Sequence, residues 1–315
     1  MSKVVKKTGK RILKFIIEST AVILIIYGVF SAGGHIRARK DAIKQQEMAK
    51  QEAQNEENKQ ELVVENKKLS EIELNEAMEN LIEQYKGNNE IGIVYKNFST
   101  GYRYAQEDKH YFTAASTIKV VYAMKIYDRI RNGEVSKNAD IFYNEKFLEE
   151  GNGQITNNKK KDSYKLEYVI QNMIQYSDNT ATNMLMGSSA TASTFIVKYL
   201  AELGVTLPQE EALNNRITPA MMEVVWTKLY KERDKYPELL KYLEDSDDGE
   251  WIKEGIPDKK VASKYGAIET NYHDTALVFG DKDYMLLIYT NNLNNSGQSI
   301  KNIAKKIDEI TNKNM

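Results

Sequence analysis

A serine and a lysine three residues apart are the side chains of this chain best suited to covalent chemistry. Ser116 follows a lead-in of small residues, and Lys119 opens the apolar run of residues 120–127. That run predicts a buried helix, with Ser116 at its N-terminus and Lys119 one turn later on the same face. A serine hydroxyl needs a base within hydrogen-bond reach, and a buried lysine can lose its proton and become that base. Taken alone, the spacing also fits a helix-capping serine followed by a solvated lysine.

A second polar group, Ser-Asp-Asn at residues 177–179, follows the apolar residues 169–174. Ser177 offers a second hydroxyl that can relay a proton, and Asn179 offers an amide that can bind a substrate amide. The helix-cap interpretation stays open here too, because serine, aspartate and asparagine are common at helix starts.

A third group, Lys264-Tyr265-Gly266-Ala267, lies in a predicted strand. Lys264 can hold a substrate carboxylate, and Gly266 lets a substrate approach the backbone. The N–H of Ala267 can then complete an oxyanion hole with the N-terminus of the serine-bearing helix. The alternative is a solvated strand lysine beside a bulge glycine.

The surrounding sequence predicts strands at both ends of the chain and helices between them. The expected strands cover residues 91–98, 102–105, 260–264, 273–279 and 284–290. Helices are expected from residue 72 to about 85, over most of residues 120–245, and from residue 299 to about 312. This order predicts an α/β protein of the α+β type. Its antiparallel sheet is built from both chain ends, and the helical lobe is inserted between them with a cleft at the junction.

Composition excludes several functional classes. The 315 residues carry a formal net charge of −1, which gives no reason to expect nucleic acid as a partner. There is no cysteine and there are only 3 histidines, so disulfides, thiolate zinc sites and histidine-rich metal sites are not expected. We predict neither a metal nor a cofactor.

The N-terminal residues predict export. A basic segment, residues 1–14, precedes the apolar residues 15–34, which are long enough to span a bilayer. The basic flank favours a cytoplasmic N-terminus, a single-pass anchor in the cell membrane and an extracellular catalytic domain. The alternative is a signal peptide cleaved near Ser31 or Ala32, which would leave the protein secreted.

Three segments follow from this pattern. Residues 1–35 form the cytoplasmic tail and transmembrane anchor, and residues 36–71 form a charged helical stalk with a thin apolar stripe. Residues 72–315 form the catalytic domain, in which the stripe thickens through Leu74, Met78 and Leu81.

Taken together, the three motifs resemble those of class A β-lactamases and penicillin-binding proteins. Ser-x-x-Lys, Ser-Asp-Asn and Lys-x-Gly occur in the family's order. The glycine-rich turn at residues 150–155 and the Thr-Pro-x-x-Met start at residues 218–222 also match. The resemblance covers roughly residues 72–313 and implies a β-lactamase-like serine hydrolase.

The resemblance also implies a role for each matching residue. Ser116 is the acylated nucleophile, Lys119 its base, and Ser177 passes a proton to the leaving nitrogen. Asn179 and Lys264 bind the substrate amide and carboxylate. Beside them, Gly266 and Ala267 complete the substrate-binding strand.

The chain departs from the family pattern at two positions. Tyr265 stands where the family has threonine or serine, which puts binding of ordinary penicillins in doubt. Glu210 fits the family's Glu-x-x-Leu-Asn spelling for the deacylating base, but Thr218 and Pro219 follow much sooner than in the family. Glu210 is therefore either that base or a surface acid in a shortened loop.

Three functions remain open from the sequence. The first is hydrolysis of a β-lactam or a related amide through an acyl-serine. The second is a DD-peptidase or transpeptidase acting on peptidoglycan peptides. The third is a catalytically dead module of the same fold that binds the cell wall.

Overall fold

The computed structural model describes residues 47–48, 50–51, 69–247 and 251–314. The predicted anchor at residues 15–34 and most of the predicted stalk lie outside these ranges. The chain divides into two units, Met1–Lys68 and Leu69–Met315, and every element named below belongs to the second. Among the described residues, no helix combines the length and the apolar character needed to cross a membrane.

A five-stranded antiparallel sheet is built from both ends of the second unit, as the sequence predicts. Its strands are β1 (Glu90–Asn97), β2 (Arg103–Gln106), β7 (Lys260–Ile268), β8 (Asn271–Phe279) and β9 (Tyr284–Asn291). Their order in the sheet is β2-β1-β9-β8-β7. Strand β1 pairs along its whole length with β9, so the first and last strands of the unit lie side by side at the centre.

Two long helices cover one face of this sheet. Helix α1 (Glu71–Lys86) begins at a capping box, in which the Ser70 hydroxyl accepts from the Glu73 N–H and the Glu73 carboxylate accepts from Ser70. It packs against α11 (Ser296–Asn314). Apolar side chains from both helices and from the sheet form one buried cluster, including Met78, Ile82, Ile93, Ile288, Ile300 and Ile303.

The opposite face of the sheet packs on the helical lobe. The lobe helices are α2 (Lys119–Arg131), α3 (Gln154–Asn157), α4 (Leu166–Gln175), α5 (Asn179–Met186), α6 (Ser189–Glu202), α7 (Gln209–Leu213), α8 (Pro219–Lys231) and α9 (Pro237–Glu244). Helix α10 (Trp251–Gly255) leads back to the sheet. Two short strand pairs join β3 (Phe112–Thr113) to β6 (Arg216–Ile217), and β4 (Asp140–Phe142) to β5 (Ser163–Lys165).

Helix α2 lies inside the lobe. Val120, Val121 and Met124 are fully buried, which confirms the buried helix predicted from the apolar run. The prediction was wrong in one detail, because the α-helix begins at Lys119 and Ser116 lies before it, in the 3-10 turn Ala115–Ile118. The turn is entered through Ala115, whose φ of 49° lies in the left-handed region.

Candidate active site

The backbone of Ser116 lies directly against strand β7. A Cβ atom placed on Gly266 would lie 2.9 Å from the Ser116 nitrogen and 3.1 Å from the Ala114 carbonyl oxygen. Only glycine permits this approach, because any side chain would push the serine turn off the strand. The close contact sets the N–H of Ser116 beside the strand segment that continues into Ala267.

Lys119 lies beneath the Ser-Asp-Asn loop and is only 4% exposed. Its Nζ donates hydrogen bonds to the Ser177 carbonyl at 2.7 Å, the Ser177 Oγ at 3.3 Å and the Asn179 Oδ1 at 2.8 Å. The Ser116 hydroxyl is not among these acceptors. Burial lowers the pKa of Lys119 to about 7, although the charges of Asp178 and Glu149 oppose the shift. A substantial fraction of the amine is therefore neutral at pH 7 and able to accept a proton.

The Ser-Asp-Asn loop is held by its buried central aspartate. Asp178 caps α5 by accepting from the Ala181 N–H at 2.9 Å, and its second oxygen accepts from the Ile155 N–H at 2.9 Å. A Cβ atom on Gly153 would overlap that oxygen, so the glycine-rich turn is needed for this contact. Ser177 itself has a φ of 55°, which turns its side chain and carbonyl toward Lys119.

Lys264 is brought to the same region but is covered. Its side chain is 1% exposed, and its Nζ lies 4.4 Å from the centre of the Tyr265 ring. The ammonium also donates to the Tyr265 carbonyl at 3.2 Å. The edge of Trp251 supports the ring, with 5.9 Å between ring centres. The ring therefore covers the cation that the sequence predicts to hold a carboxylate, through a cation–π contact.

Two residues of β8 that support the site carried no role in the sequence analysis. The Nδ1 of His273 accepts from the Thr290 N–H at 3.0 Å, so its Nε2 carries the proton and donates to the Thr113 carbonyl at 2.7 Å. Burial lowers the pKa of His273 to about 4, which keeps it neutral. It ties the sheet to β3, the strand that leads into Ser116.

Asp274, the next residue, is fully buried and accepts from the Ile252 N–H at 2.8 Å. Burial raises its pKa to about 7. Its Oδ1 has no hydrogen-bond partner among the described residues. Asp274 pairs in register with Tyr265, so it lies on the strand adjacent to the one that carries Lys264.

A cavity of about 280 Å³ opens beside the serine turn. Four of the predicted site residues, Ser116, Lys119, Asn179 and Ala267, line it. Ser177 and Gly266 reach the same place by direct contact with Lys119 and Ser116. The other wall comes from α5, α6 and α7, with Thr182, Asn183, Ser188, Ser189, Ser193 and Leu213.

The sequence leaves open whether Glu210 is the acid of the site, and the structure places a different carboxylate in this cavity. Glu210 lies exposed on α7 and is not among the residues that line the cavity, to which α7 contributes Ala212 and Leu213. Of the described residues that do line it, Glu149 alone carries a carboxylate. Sequence reasoning missed Glu149, which sits in a loop and belongs to none of the three motifs.

Among residues 69–247 and 251–314, no group of three or more histidine, aspartate and glutamate side chains is arranged to bind a metal ion. The cavity itself brings together a serine and an amine whose pKa lies near 7. Together with the sheet and the inserted lobe, this arrangement defines the class of protein as a penicillin-recognising serine hydrolase.

Comparison with models of protein families agrees with this class and identifies one family within it. The model of the beta-lactamase enzyme family matches residues 73–312. The chain therefore belongs to the β-lactamase enzyme family. A comparison with curated proteins gives no match.

Solved structures with the same fold include β-lactamases and a penicillin-binding protein. A single-site mutant of PBP-A, captured as an acyl-enzyme with penicillin G, is 19% identical with a TM-score of 0.67, over 76% of this chain and 97% of that one. A β-lactamase from Xanthomonas campestris pv. campestris is 20% identical with a TM-score of 0.66, over 76% of this chain and 97% of that one. One from Sphaerobacter thermophilus is 19% identical with a TM-score of 0.67, over 75% of this chain and 97% of that one. At these identities the likeness concerns the fold.

Proposed function

We propose that this protein hydrolyses a β-lactam or a related amide through an acyl-enzyme formed on Ser116. The observation that carries the proposal is the environment of Lys119. A fully buried lysine whose pKa lies near 7, held by Ser177 and Asn179 at the wall of a cavity that also exposes Ser116, is suited to general-base catalysis.

The acylation step uses four groups of this chain. Neutral Lys119 accepts the Ser116 proton as Oγ forms a bond to the substrate carbonyl carbon. The N–H groups of Ser116 and Ala267 stabilise the resulting oxyanion. The bond between that carbon and the leaving nitrogen then breaks, and Ser177 passes the proton from Lys119 to the nitrogen. The 3.3 Å contact between the Lys119 Nζ and the Ser177 Oγ supports this relay.

Intact-protein mass spectrometry of the purified chain with penicillin G tests the proposal. A transient mass increase equal to one penicillin, absent from the Ser116→Ala variant, is the expected result. A panel of amide, ester and β-lactam acylating probes that leaves the wild-type mass unchanged would contradict the proposal.

The covered Lys264 gives a reason to test two further candidates. A substrate carboxylate meets the Tyr265 ring where the family has a small hydroxyl, so ordinary penicillins bind poorly unless the ring moves. A DD-peptidase or transpeptidase would release the terminal residue of a peptidoglycan peptide when mass spectrometry is repeated with such a peptide in place of penicillin G. A catalytically dead module would bind such peptides equally well with and without the Ser116 hydroxyl.

We further propose that residues 15–34 anchor the protein in the cell membrane, with the catalytic domain outside the cell. The basic residues 1–14 before an apolar segment of membrane-spanning length support this topology. Protease added to intact cells should remove the domain, whereas a cytoplasmic marker stays intact. A domain that is protected until the cells are lysed would contradict this topology, and a shortened chain in the medium would indicate cleavage near Ser31.

A further inference from the structure

We infer that Glu149 is the general base that activates water for deacylation of Ser116, in place of Glu210. The inference rests on the proposed acylation of Ser116, since it concerns the second half of the same reaction. Four observations support it: the lining of the cavity, the hydrogen bonds of the carboxylate, the attachment of its backbone, and its charge relative to Lys119.

The first observation is location. An acyl group on Ser116 occupies the cavity into which Ser116 opens, and the water that attacks it must occupy the same space. Glu149 lines that cavity together with Ser116, Lys119 and Asn179, and no other described residue of the lining carries a carboxylate. Both Glu149 and Glu210 are exposed, but Glu210, on α7, lies outside the lining.

The second observation is the orientation of the carboxylate. Its Oε2 accepts from the Asn183 Nδ2 at 2.8 Å. Within the described part of the chain its Oε1 has no hydrogen-bond partner, so this oxygen is available to accept from water. A base needs one oxygen for the water and gains from a second that is held in place.

The third observation is that the backbone of Glu149 is attached to the helix that also positions Lys119. The Glu149 N–H donates to the Thr180 Oγ1 at 3.1 Å, and that hydroxyl donates to the Glu149 carbonyl at 3.2 Å. Thr180 is fully buried on α5. Asn179 and Asn183, four residues apart, lie on one face of α5 and bond Lys119 and Glu149 respectively.

The fourth observation is electrostatic. The charge of Glu149 acts on Lys119 and opposes the lowering of its pKa by burial. The carboxylate and the amine both belong to the lining of one cavity, so a proton released by Glu149 has Lys119 as an acceptor across that cavity.

The deacylation step balances as follows. Glu149 takes one proton from water as the water oxygen bonds to the acyl carbon. The bond between that carbon and the Ser116 Oγ then breaks. The proton moves from Glu149 through Lys119 to the Ser116 oxygen, which leaves a carboxylic acid product and the original enzyme.

The test follows the loss of the acyl adduct by quenched-flow mass spectrometry in the full chain. The variants are Glu149→Gln, Glu210→Gln and Glu150→Gln. Glu150 is the matched control, because it is adjacent to Glu149 and equally exposed but does not line the cavity. Glutamine at position 149 can still accept from Asn183, so the loop should keep its shape. We expect Glu149→Gln to acylate within about threefold of wild type and to keep its adduct roughly 100-fold longer or more. Adduct lifetimes in the other two should match wild type.

Each other result overturns the inference in a recognisable way. An unchanged adduct lifetime in Glu149→Gln excludes Glu149 as the deacylating base. If acylation by positively charged substrates slows in the same variant, Glu149 is a substrate-binding group instead. A longer lifetime in Glu210→Gln returns the role to that residue. A folded Glu149→Gln variant that does not acylate shows that Glu149 acts in the acylation step and not in deacylation. If the wild-type protein acylates but never releases the adduct, Glu149 does not act as a deacylating base, whereas the proposed acylation of Ser116 stands. Wild-type protein that never acylates removes the proposed function itself.

Were Glu149→Gln to unfold, Glu149→Asp provides the second measurement. Aspartate keeps the charge but withdraws the carboxylate by one carbon. The expected result is an adduct lifetime between that of wild type and that of a variant without the carboxylate. A wild-type lifetime in a folded Glu149→Asp variant would contradict a positioned base.

Discussion

At the scale of single residues, the site depends on burial altering the chemistry of ordinary side chains. A solvated lysine is a cation at neutral pH, whereas Lys119 is buried and its pKa is lowered to about 7. Lys264 is buried as well, but its Nζ lies against the Tyr265 ring. The two lysines therefore differ in their access to a substrate. Lys119 lies at the cavity wall, whereas Lys264 lies under the Tyr265 ring.

The acylation rate should follow the neutral fraction of Lys119. Because its folded pKa is about 7, the rate should rise about tenfold per pH unit below pH 7 and level off above it. Lys119→Ala should slow acylation by roughly 10²- to 10⁴-fold at every pH and should remove the inflection. Stopped-flow labelling with a fluorescent penicillin, from pH 5 to pH 9, measures both effects.

Asp274 requires a control, because its pKa is also raised to about 7. Asparagine at this position can still accept from the Ile252 N–H and no longer titrates. The Asp274→Asn variant should therefore keep the inflection of the acylation rate. If the inflection disappears in Asp274→Asn although Lys119 is intact, the pH dependence comes from Asp274 and the assignment to Lys119 is wrong.

The ring of Tyr265 lies over the Lys264 Nζ, and replacing it tests whether the ring limits which substrates are admitted. Tyr265→Thr removes the ring over the Lys264 Nζ and restores the small hydroxyl of the family. We expect labelling by penicillin G to accelerate by about 10-fold or more, because the ammonium becomes available to the carboxylate. Tyr272→Thr is a suitable control, since Tyr272 also contacts Trp251 but not Lys264. Equal labelling of wild type and Tyr265→Thr would show that the ring does not obstruct the site.

At the scale of elements, the serine turn and strand β7 form one unit. The turn is held by the absence of a side chain at Gly266 and by the bond from the Tyr289 hydroxyl to the Thr117 Oγ1 at 3.1 Å. His273 adds a third tie, from β8 to the Thr113 carbonyl. The position of the Ser116 N–H, proposed above to bind the oxyanion, thus depends on the register of three strands rather than on the helix N-terminus alone.

Gly266→Ala should therefore damage catalysis more than folding. The added Cβ meets backbone atoms of the serine turn, which must shift, so we expect acylation to slow by about 100-fold or more. The free energy of unfolding should fall by about 1–3 kcal/mol. Gly280→Ala is the matched control, because its Cβ would meet only the Lys259 side chain at 3.6 Å and should change neither quantity. Labelling kinetics and urea unfolding measure the two effects, and a fully active Gly266→Ala variant would contradict the packing.

At the scale of the whole molecule, the cavity is assembled from segments far apart in the chain. Ser116, Glu149, Asn179 and Ala267 come from four separate elements or loops. The sheet that carries Ala267 is completed by β1 and covered by α1, so the catalytic geometry depends on the first helix of the folded unit.

A chain that starts at Leu69 should consequently unfold cooperatively and label with penicillin, whereas one that starts at Asn89 should not. Removing α1 exposes the sheet side chains against which Leu74, Met78, Leu81 and Ile82 are buried. At about 1.5–3 kcal/mol per side chain, this loss is comparable to the whole stability of a domain. Circular dichroism during urea titration compares the two chains, and equal stability would exclude α1 from the core.

The sequence by itself determined the order of the motifs, the strands at both ends and the buried helix after Ser116. These features are local, since side-chain periodicity, helix caps and glycine positions are set within a few residues. Tertiary structure alone decided that Glu149 and not Glu210 lines the cavity, that the Tyr265 ring covers Lys264, and that Lys119 bonds Ser177 and Asn179. Whether a carboxylate faces the cavity or solvent, and whether a lysine keeps its proton, depends on packing between segments remote in the chain. No local pattern encodes that packing.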